Sequence, residues 1–173
     1  LPKKNIFSLE KKPMIIRLIE RISKSKNIDE IIISTSNLES DDELEDVANK
    51  YKYPIYRGSL NYISKRIFDT ASYYNLDIIV EILGDNIFVH SDLIDDVLSL
   101  HNIQKNDFTS NSTVEFPDLK TTDYNFCLGT RVQIYNYKTL AFFNKFFETQ
   151  PYNSFMYSNT KLKKNYLFAK DKW

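Results

Sequence analysis

The chain has 173 residues, enough to bury a core in one domain, and its 23 basic and 23 acidic side chains cancel, so no basic field recommends nucleic acid as a partner. One cysteine, Cys127, excludes an intrachain disulfide and a thiolate zinc site, and two histidines, His90 and His101, are too few for a histidine-based metal centre. No apolar run approaches the roughly 18 residues of a membrane span and no signal-peptide pattern leads the chain, so a cytoplasmic protein without a membrane partner is expected.

Leu1-Pro2-Lys3-Lys4 reads as the tail of a loop, and no strand precedes it where a doubly wound sheet usually begins. Residues 1–173 therefore read as one domain of a longer protein, lacking a first strand and extending past Trp173. Pro13 suits a first helical position, and Met14, Ile15, Leu18, Ile19 and Ile22 then share one helical face. Ile31-Ile32-Ile33 predicts a buried strand with the polar tip Ser34-Thr35-Ser36. Ser40-Asp41-Asp42-Glu43 has the form of a capping box, opening a helix with Leu44, Val47, Ala48 and Tyr51 inward. Asp41-Asp42 is also a candidate metal pair, which the capping box explains better. Pro54-Ile55-Tyr56 is a short strand leaving through Arg57-Gly58-Ser59, and a helix with Ile63, Ile67, Ala71 and Tyr74 follows.

Ile78 to Leu83 is a short apolar run rich in β-branched residues, the mark of a buried strand. It stops at Gly84-Asp85-Asn86, and Ser91 offers an N-cap to a helix carrying Leu93, Ile94, Val97 and Leu98. Ligands of open α/β sheets collect beyond the carboxyl ends of strands. A glycine there lets a ligand approach the backbone, and an aspartate can hold a hard cation. Strand-Gly-Asp-Asn is thus a candidate chemical centre, or else a plain strand-to-helix turn. Beyond residue 105 the rhythm loosens, with strands expected at 107–110 and 131–135, an irregular loop at 112–129, and Leu140, Phe143 and Phe147 on one helical face. The aromatics Phe142, Phe143, Phe146, Phe147, Tyr152, Phe155 and Tyr157 form either core or a dimer surface. The alternation of strand and helix is an α/β signature with a mainly parallel sheet, which brings the tips at Ser36, Arg57 and Asp85 to one edge.

The order of these pieces resembles the cytidylyltransferases that activate acidic sugars, especially the spore-coat polysaccharide type, and is similar to the acylneuraminate and Kdo branches. Leu1-Pro2-Lys3-Lys4 matches the family's Leu-Pro-x-Lys, and Lys12-Pro13 looks like its helix start. Asp29 to Ser36 with Asp41-Asp42, then Tyr56-Arg57-Gly58-Ser59 with Arg66, follow its second and third strands. Gly84-Asp85-Asn86 with Asp92-Leu93-Ile94-Asp95 looks like its metal-binding strand end. The resemblance is good over residues 1–100 and thin afterwards. It implies a Rossmann-like three-layer sandwich of the nucleotide-diphospho-sugar transferase kind. It also implies transfer of CMP from CTP to an acidic sugar or a phosphonate-type acceptor, with Mg2+ as cofactor and a homodimer paired through the C-terminal part.

Carried over by position, Lys4 contacts the triphosphate and Asn5 helps to hold the nucleotide. Arg57 and Arg66 line its pocket, Ser36 lies near the base, Gly84 and Asn86 shape the strand end, and Asp85 holds Mg2+. The sequence also departs from the family, whose first strand and Gly/Ser/Arg-rich phosphate loop are lacking from residues 1–173. Glu81 and Leu83 stand where the spore-coat type carries Arg and Thr. Gly129-Thr130-Arg131-Val132 puts an arginine where the family's second metal aspartate belongs, unless Asp118 or Asp123 serves. Glu148-Thr149-Gln150-Pro151 lacks the histidine of a later motif. A degenerate nucleotide-binding or interaction module is therefore the alternative to a transferase. A sugar-nucleotide glycosyltransferase ranks last, because Asp85 is followed by Asn86-Ile87 instead of forming Asp-x-Asp.

Overall fold

A computed structural model describes residues 3–112, 125–146, 156 and 159–171. A hairpin, β1 (Ser8–Leu9) with β2 (Lys12–Pro13), leads into α1 (Met14–Ile22). β3 (Ile33–Ser36), α2 (Asp42–Tyr51) and β4 (Ile55–Gly58) follow, then α3 (Ile63–Tyr73), β5 (Ile78–Glu81) and α4 (Ser91–Gln104). The chain continues through β6 (Phe108–Asn111), β7 (Gln133–Asn136), α5 (Tyr137–Phe143) and β8 (Lys164–Leu167). β3 and β4 pair in parallel, from Ile33 opposite Ile55 to Ser36 opposite Gly58. The second sheet has the order β5-β7-β6-β8. β7 is antiparallel to both its neighbours, and β6 and β8 are parallel. Three of these four strands thus point one way, as the α/β rhythm predicts, and β7 alone runs against them. The crossover through α4 sets β6 down one place away from β5, and β7 returns into the space between them.

Period-two alternation makes the layers. In the paired register Ile79 faces the same side as Tyr135, where they pack with Phe108, Ala71 of α3, and Leu140 and Phe143 of α5. Val80 and Ile134 face the other side, against Ile94, Val97 and Leu98 of α4. On the smaller sheet Ile33 packs on α1 and α2 with Ile16, Ile19, Leu44 and Ala48, and Ser34 meets Thr70 of α3 at 2.9 Å. Fully burying a side chain such as Ile134 contributes about 2 kcal/mol, so each apolar row is worth several times a surface ion pair. Among the described residues no helix is long and apolar enough to cross a membrane.

Helix starts differ from expectation in detail. α1 begins at Met14, with Pro13 as its cap residue. The capping box at Ser40–Glu43 does not form: Asp41 sits at the cap without a capping hydrogen bond, because strand residues take its carboxylate. His90, one residue before the expected Ser91, caps α4, its Nδ1 accepting from the Asp92 amide at 3.3 Å. Ser91 is instead buried in the first turn. Of the aromatic run, Phe143 is core, whereas Phe142 is 69% exposed. Leu1, Pro2, Asp118, Asp123, Phe147, Glu148 to Pro151, Tyr152, Phe155, Tyr157 and Trp173 lie outside the described residues.

His101 closes the far end of α4. It is buried, with Nδ1 3.0 Å from the Thr109 hydroxyl and Nε2 3.3 Å from Asn136 Oδ1. Burial pushes its imidazole below the ordinary histidine value, against the raising effects of the Asn136 bond and the Asp107 charge. An unfolded chain takes up a proton near pH ~6.5, before the native ring does, so stability falls as pH drops below that value. Urea midpoints should therefore decline between neutral pH and about 5.5. The decline should flatten in His101→Gln; an equal decline in that variant would remove His101 as its source.

Candidate functional site

The polar tips do meet at one edge. Ser36 ends β3 opposite Gly58 at the end of β4, and the Asn37 amide donates to the Gly58 carbonyl at 2.8 Å. Across this edge lies a 3-10 turn, Lys4–Ile6. Lys3 before it pairs with Glu43 in the first turn of α2, and Lys4 Nζ reaches Asp85 Oδ2 at 2.6 Å. Asn5 lies on Gly84 so closely that a Cβ there would stand 2.9 Å from its Nδ2. The close approach expected at Gly84 is thus made by Asn5. Three successive residues therefore span from the exit of β3 to the exit of β5.

Lys4 and Asp85 are both about half exposed. The hydrogen bond from Lys4 holds the Asp85 carboxyl below the usual carboxylate range, with the Arg131 charge adding to it. Arg131 is thus a neighbour of the strand end, as the register of Gly129-Thr130-Arg131 suggests. The fastening is to backbone carbonyls: Asn86 Nδ2 donates to that of Arg131 at 3.0 Å, and the Phe88 amide to that of Gly129 at 3.2 Å. Asn86 is buried and ties two loops together.

Two other expected nucleotide ligands are engaged within the protein. Ser36 is 2% exposed and its hydroxyl donates to Asp41 Oδ2 at 2.6 Å. Arg57 donates to Glu45 at 2.6 Å, to the Leu38 carbonyl at 2.7 Å and to the Ser36 carbonyl at 3.2 Å, with Asp42 at 2.7 Å beside it. Its guanidinium binds β4 to the start of α2, the salt-bridging role that competes with pocket lining. Arg66 is different. It rises from α3 across Gly58, where a Cβ would come within 2.9 Å of its Cγ. One terminal nitrogen donates to the Ser59 carbonyl at 2.9 Å, while Nε is buried without a protein partner. Burial lowers its pKa, with the charges of Asp41 and Glu81 opposing. Asn5 Oδ1 is likewise buried and unpartnered. Orphaned buried donors and acceptors at a strand edge are where a polar ligand restores hydrogen bonds.

Asp41 is the residue whose role the sequence conceals. It accepts from Thr35 Oγ1 at 2.7 Å and from the Ser36 hydroxyl and amide, so one carboxylate gathers the whole β3 tip. Only the hydroxyl pair Thr35-Ser36, shortly before it in the chain, hints at this. As for Mg2+, the described residues contain no cluster of three or more His, Cys, Asp or Glu side chains. Mg2+ commonly takes one or two carboxylates plus substrate phosphates. Asp85, on an accessible turn and already paired with a cation, fits an ion carried in on a triphosphate and does not make a preformed cage.

Polar strand exits gathered at one edge, with a second sheet that has one reversed strand, define an α/β protein of the Rossmann-like kind. The cytidylyltransferase family model matches residues 1–166, and the chain belongs to that family. It is 30% identical over 113 residues to the spore coat polysaccharide biosynthesis protein SpsF of Bacillus subtilis, covering 63% of this chain and 47% of SpsF. An uncharacterized protein of Methanocaldococcus jannaschii is 31% identical over 113 residues, 65% of this chain and 46% of its own length. The chain spans about half the length of these curated relatives. Among solved structures, a cytidylyltransferase from Leptospira borgpetersenii superposes with a TM-score of 0.83 at 24% identity, over 99% of this chain and 71% of that one. A CMP:2-keto-3-deoxy-manno-octonic acid synthetase complexed with CTP gives 0.64 at 12% identity, over 84% and 72%. These neighbours share the Rossmann-like fold.

Asp41 supplies a test of how the edge is held. Burial raises its carboxyl pKa, but the hydrogen bonds from Ser36 and Thr35 outweigh this and leave it lowered. Its contribution is present above the unfolded value of ~3.9 and is lost as pH falls through the lower native value. Asp41→Ala should cost about 2 kcal/mol at pH 7. The gap between variant and parent should close in strong acid, measured by denaturant unfolding across pH 2–7 (roughly the carboxylate range).

Proposed function

We propose that this chain transfers CMP from CTP to an acidic sugar or phosphonate-type acceptor, releasing pyrophosphate, in polysaccharide or glycan biosynthesis. An acceptor oxygen attacks the α-phosphorus and the bond to the β-phosphate oxygen breaks. Pyrophosphate departs, and the acceptor's proton passes to water. Such chemistry asks for in-line positioning and charge neutralisation, with no covalent intermediate. The observation that carries this proposal is the Lys4–Asp85 contact beside Asn5 on Gly84. Lys4 exchanges Asp85 for the triphosphate oxygens. Asn5 Oδ1 accepts from a nucleoside hydroxyl or amino group, and the Arg66 guanidinium donates to the nucleotide from the β4 side. Mg2+ held through Asp85 would neutralise the phosphates and leaving group when bound. Residues 1–173 act as one nucleotidyltransferase-like domain in this scheme, in the cytoplasm and paired as a homodimer through the C-terminal part.

A second function has its own support. Asp85 is paired with Lys4 and feels the charge of Arg131, an arginine that stands where the family's second acidic ligand belongs. That arrangement suits a module that holds nucleotide without turning it over. Titrating the full-length protein with CTP and UTP, with and without Mg2+, bears on both. Selective CTP binding that Mg2+ strengthens is expected. Asp85→Ala and Lys4→Ala should each weaken it about tenfold or more, which is about 1.4 kcal/mol per decade. Pyrophosphate release with an acidic sugar then separates transferase from module. A folded full-length protein that binds no nucleotide would eliminate both.

A further inference from the structure

Two buried asparagines hold the segment that leads into β7. Asn111, at the end of β6, takes both peptide groups that flank Arg131: its Nδ2 donates to the Thr130 carbonyl at 3.1 Å, and its Oδ1 accepts from the Val132 amide at 2.7 Å. Asn86 donates to the carbonyl of Arg131 itself at 3.0 Å. The Ser110 hydroxyl adds a bond to the Val132 carbonyl at 2.6 Å, and the Thr130 hydroxyl one to the Cys127 carbonyl at 2.7 Å. Side-chain amides here do for the backbone what a strand ladder does elsewhere.

Thr130 and Val132 are buried, and Val132 belongs to the core beneath α4. Arg131, between them, is only partly buried. The backbone is thus fixed by buried groups at a position whose side chain the core does not absorb. Rigid support of this kind is what a binding residue needs.

The register says where Arg131 stands. β7 runs antiparallel to β5, with Gln133 opposite Glu81, the last residue of β5. Residues just before Gln133 therefore lie beyond the end of β5, beside the turn Gly84-Asp85-Asn86, and the charge of Arg131 acts on Asp85. Lys4 already bonds that carboxylate at 2.6 Å, so its pairing does not require a second cation. An arginine stays charged at every pH a folded protein meets, and its planar fork grips two phosphate oxygens at once.

We propose that Arg131 is a ligand of the nucleotide's phosphates, a fixed cation that anchors them with or without Mg2+. The proposal rests on the nucleotide site described above, and it holds both for a transferase and for a module that only retains the nucleotide. Lys4 reaches the phosphates by leaving Asp85, whereas Arg131 meets them from a rigid mount.

Calorimetry on the full-length protein tests this, with CTP and inorganic pyrophosphate each titrated in EDTA and in Mg2+. Wild type should bind both in EDTA. Arg131→Gln should lose about tenfold for each, and Arg131→Lys, which keeps the charge, no more than about threefold. The double variant Asp85→Asn/Arg131→Gln should show the same loss, about tenfold, relative to Asp85→Asn alone. Unchanged binding by Arg131→Gln would overturn the proposal, as would binding that requires Mg2+. So would a loss that vanishes in the Asp85→Asn background, because Arg131 would then be only a counter-charge to Asp85. Pyrophosphate binding without CTP binding leaves Arg131 in its role and strikes the proposed function. CTP binding indifferent to Arg131 does the reverse.

Discussion

The site depends on a turn of three residues that bridges two strand exits. Lys3 holds Glu43 at the foot of α2, Lys4 holds Asp85 beyond β5, and Asn5 rests on Gly84. Each ion pair is solvent-facing and worth little, on the order of 0–1 kcal/mol. That weakness matters. A buried pair would be costly to part, whereas an exposed lysine can leave one carboxylate for a triphosphate at almost no loss. The tie that shapes the cleft in this state is also the one easiest to exchange.

Around this exchangeable contact the frame is fixed. Asp41 gathers the hydroxyls of Thr35 and Ser36, and Arg57 joins Ser36, Leu38, Asp42 and Glu45. Asn86 and Phe88 bind the strand-end turn to the loop before β7. Each of these groups spends hydrogen bonds within the protein, and together they hold the edge in register. Arg66 and Asn5 keep unpartnered polar atoms against that rigid background. A division between locked and open polar groups is what a preorganised site requires.

Much of this was legible in the sequence. Apolar periodicity located α1 to α4 and β3 to β5, because one buried face fixes phase, but gave no sign of the β1–β2 hairpin, which lies in what reads as an opening loop. Lys4, Asn5, Gly84 and Asp85 are candidates on sequence alone, and the structure brings them together. The rest was hidden for a physical reason. Ser36, Arg57 and Asn86 carry the right chemistry for a ligand, but each has partners 5 to 45 residues away that no local pattern displays. The capping box failed likewise: Asp41 could cap a helix or close a strand tip, and only tertiary placement decides. Strand direction in the second half was obscure because β7 owes its reversal to a long connection with no periodic signal.

That reversed strand has a consequence for how the chain is made. β5, which presents Asp85, takes its described strand partner from residues 133–136, some fifty positions later in synthesis. Local pairing cannot anchor it, and loop closure over that distance is entropically slow. During translation α1, β3, α2 and β4 can collapse early, since their contacts are near neighbours in the chain. The strand carrying the acidic centre waits, its apolar edge uncovered, until β7 leaves the ribosome. Assembly of the edge beyond β5 is thus a late event on the nascent chain.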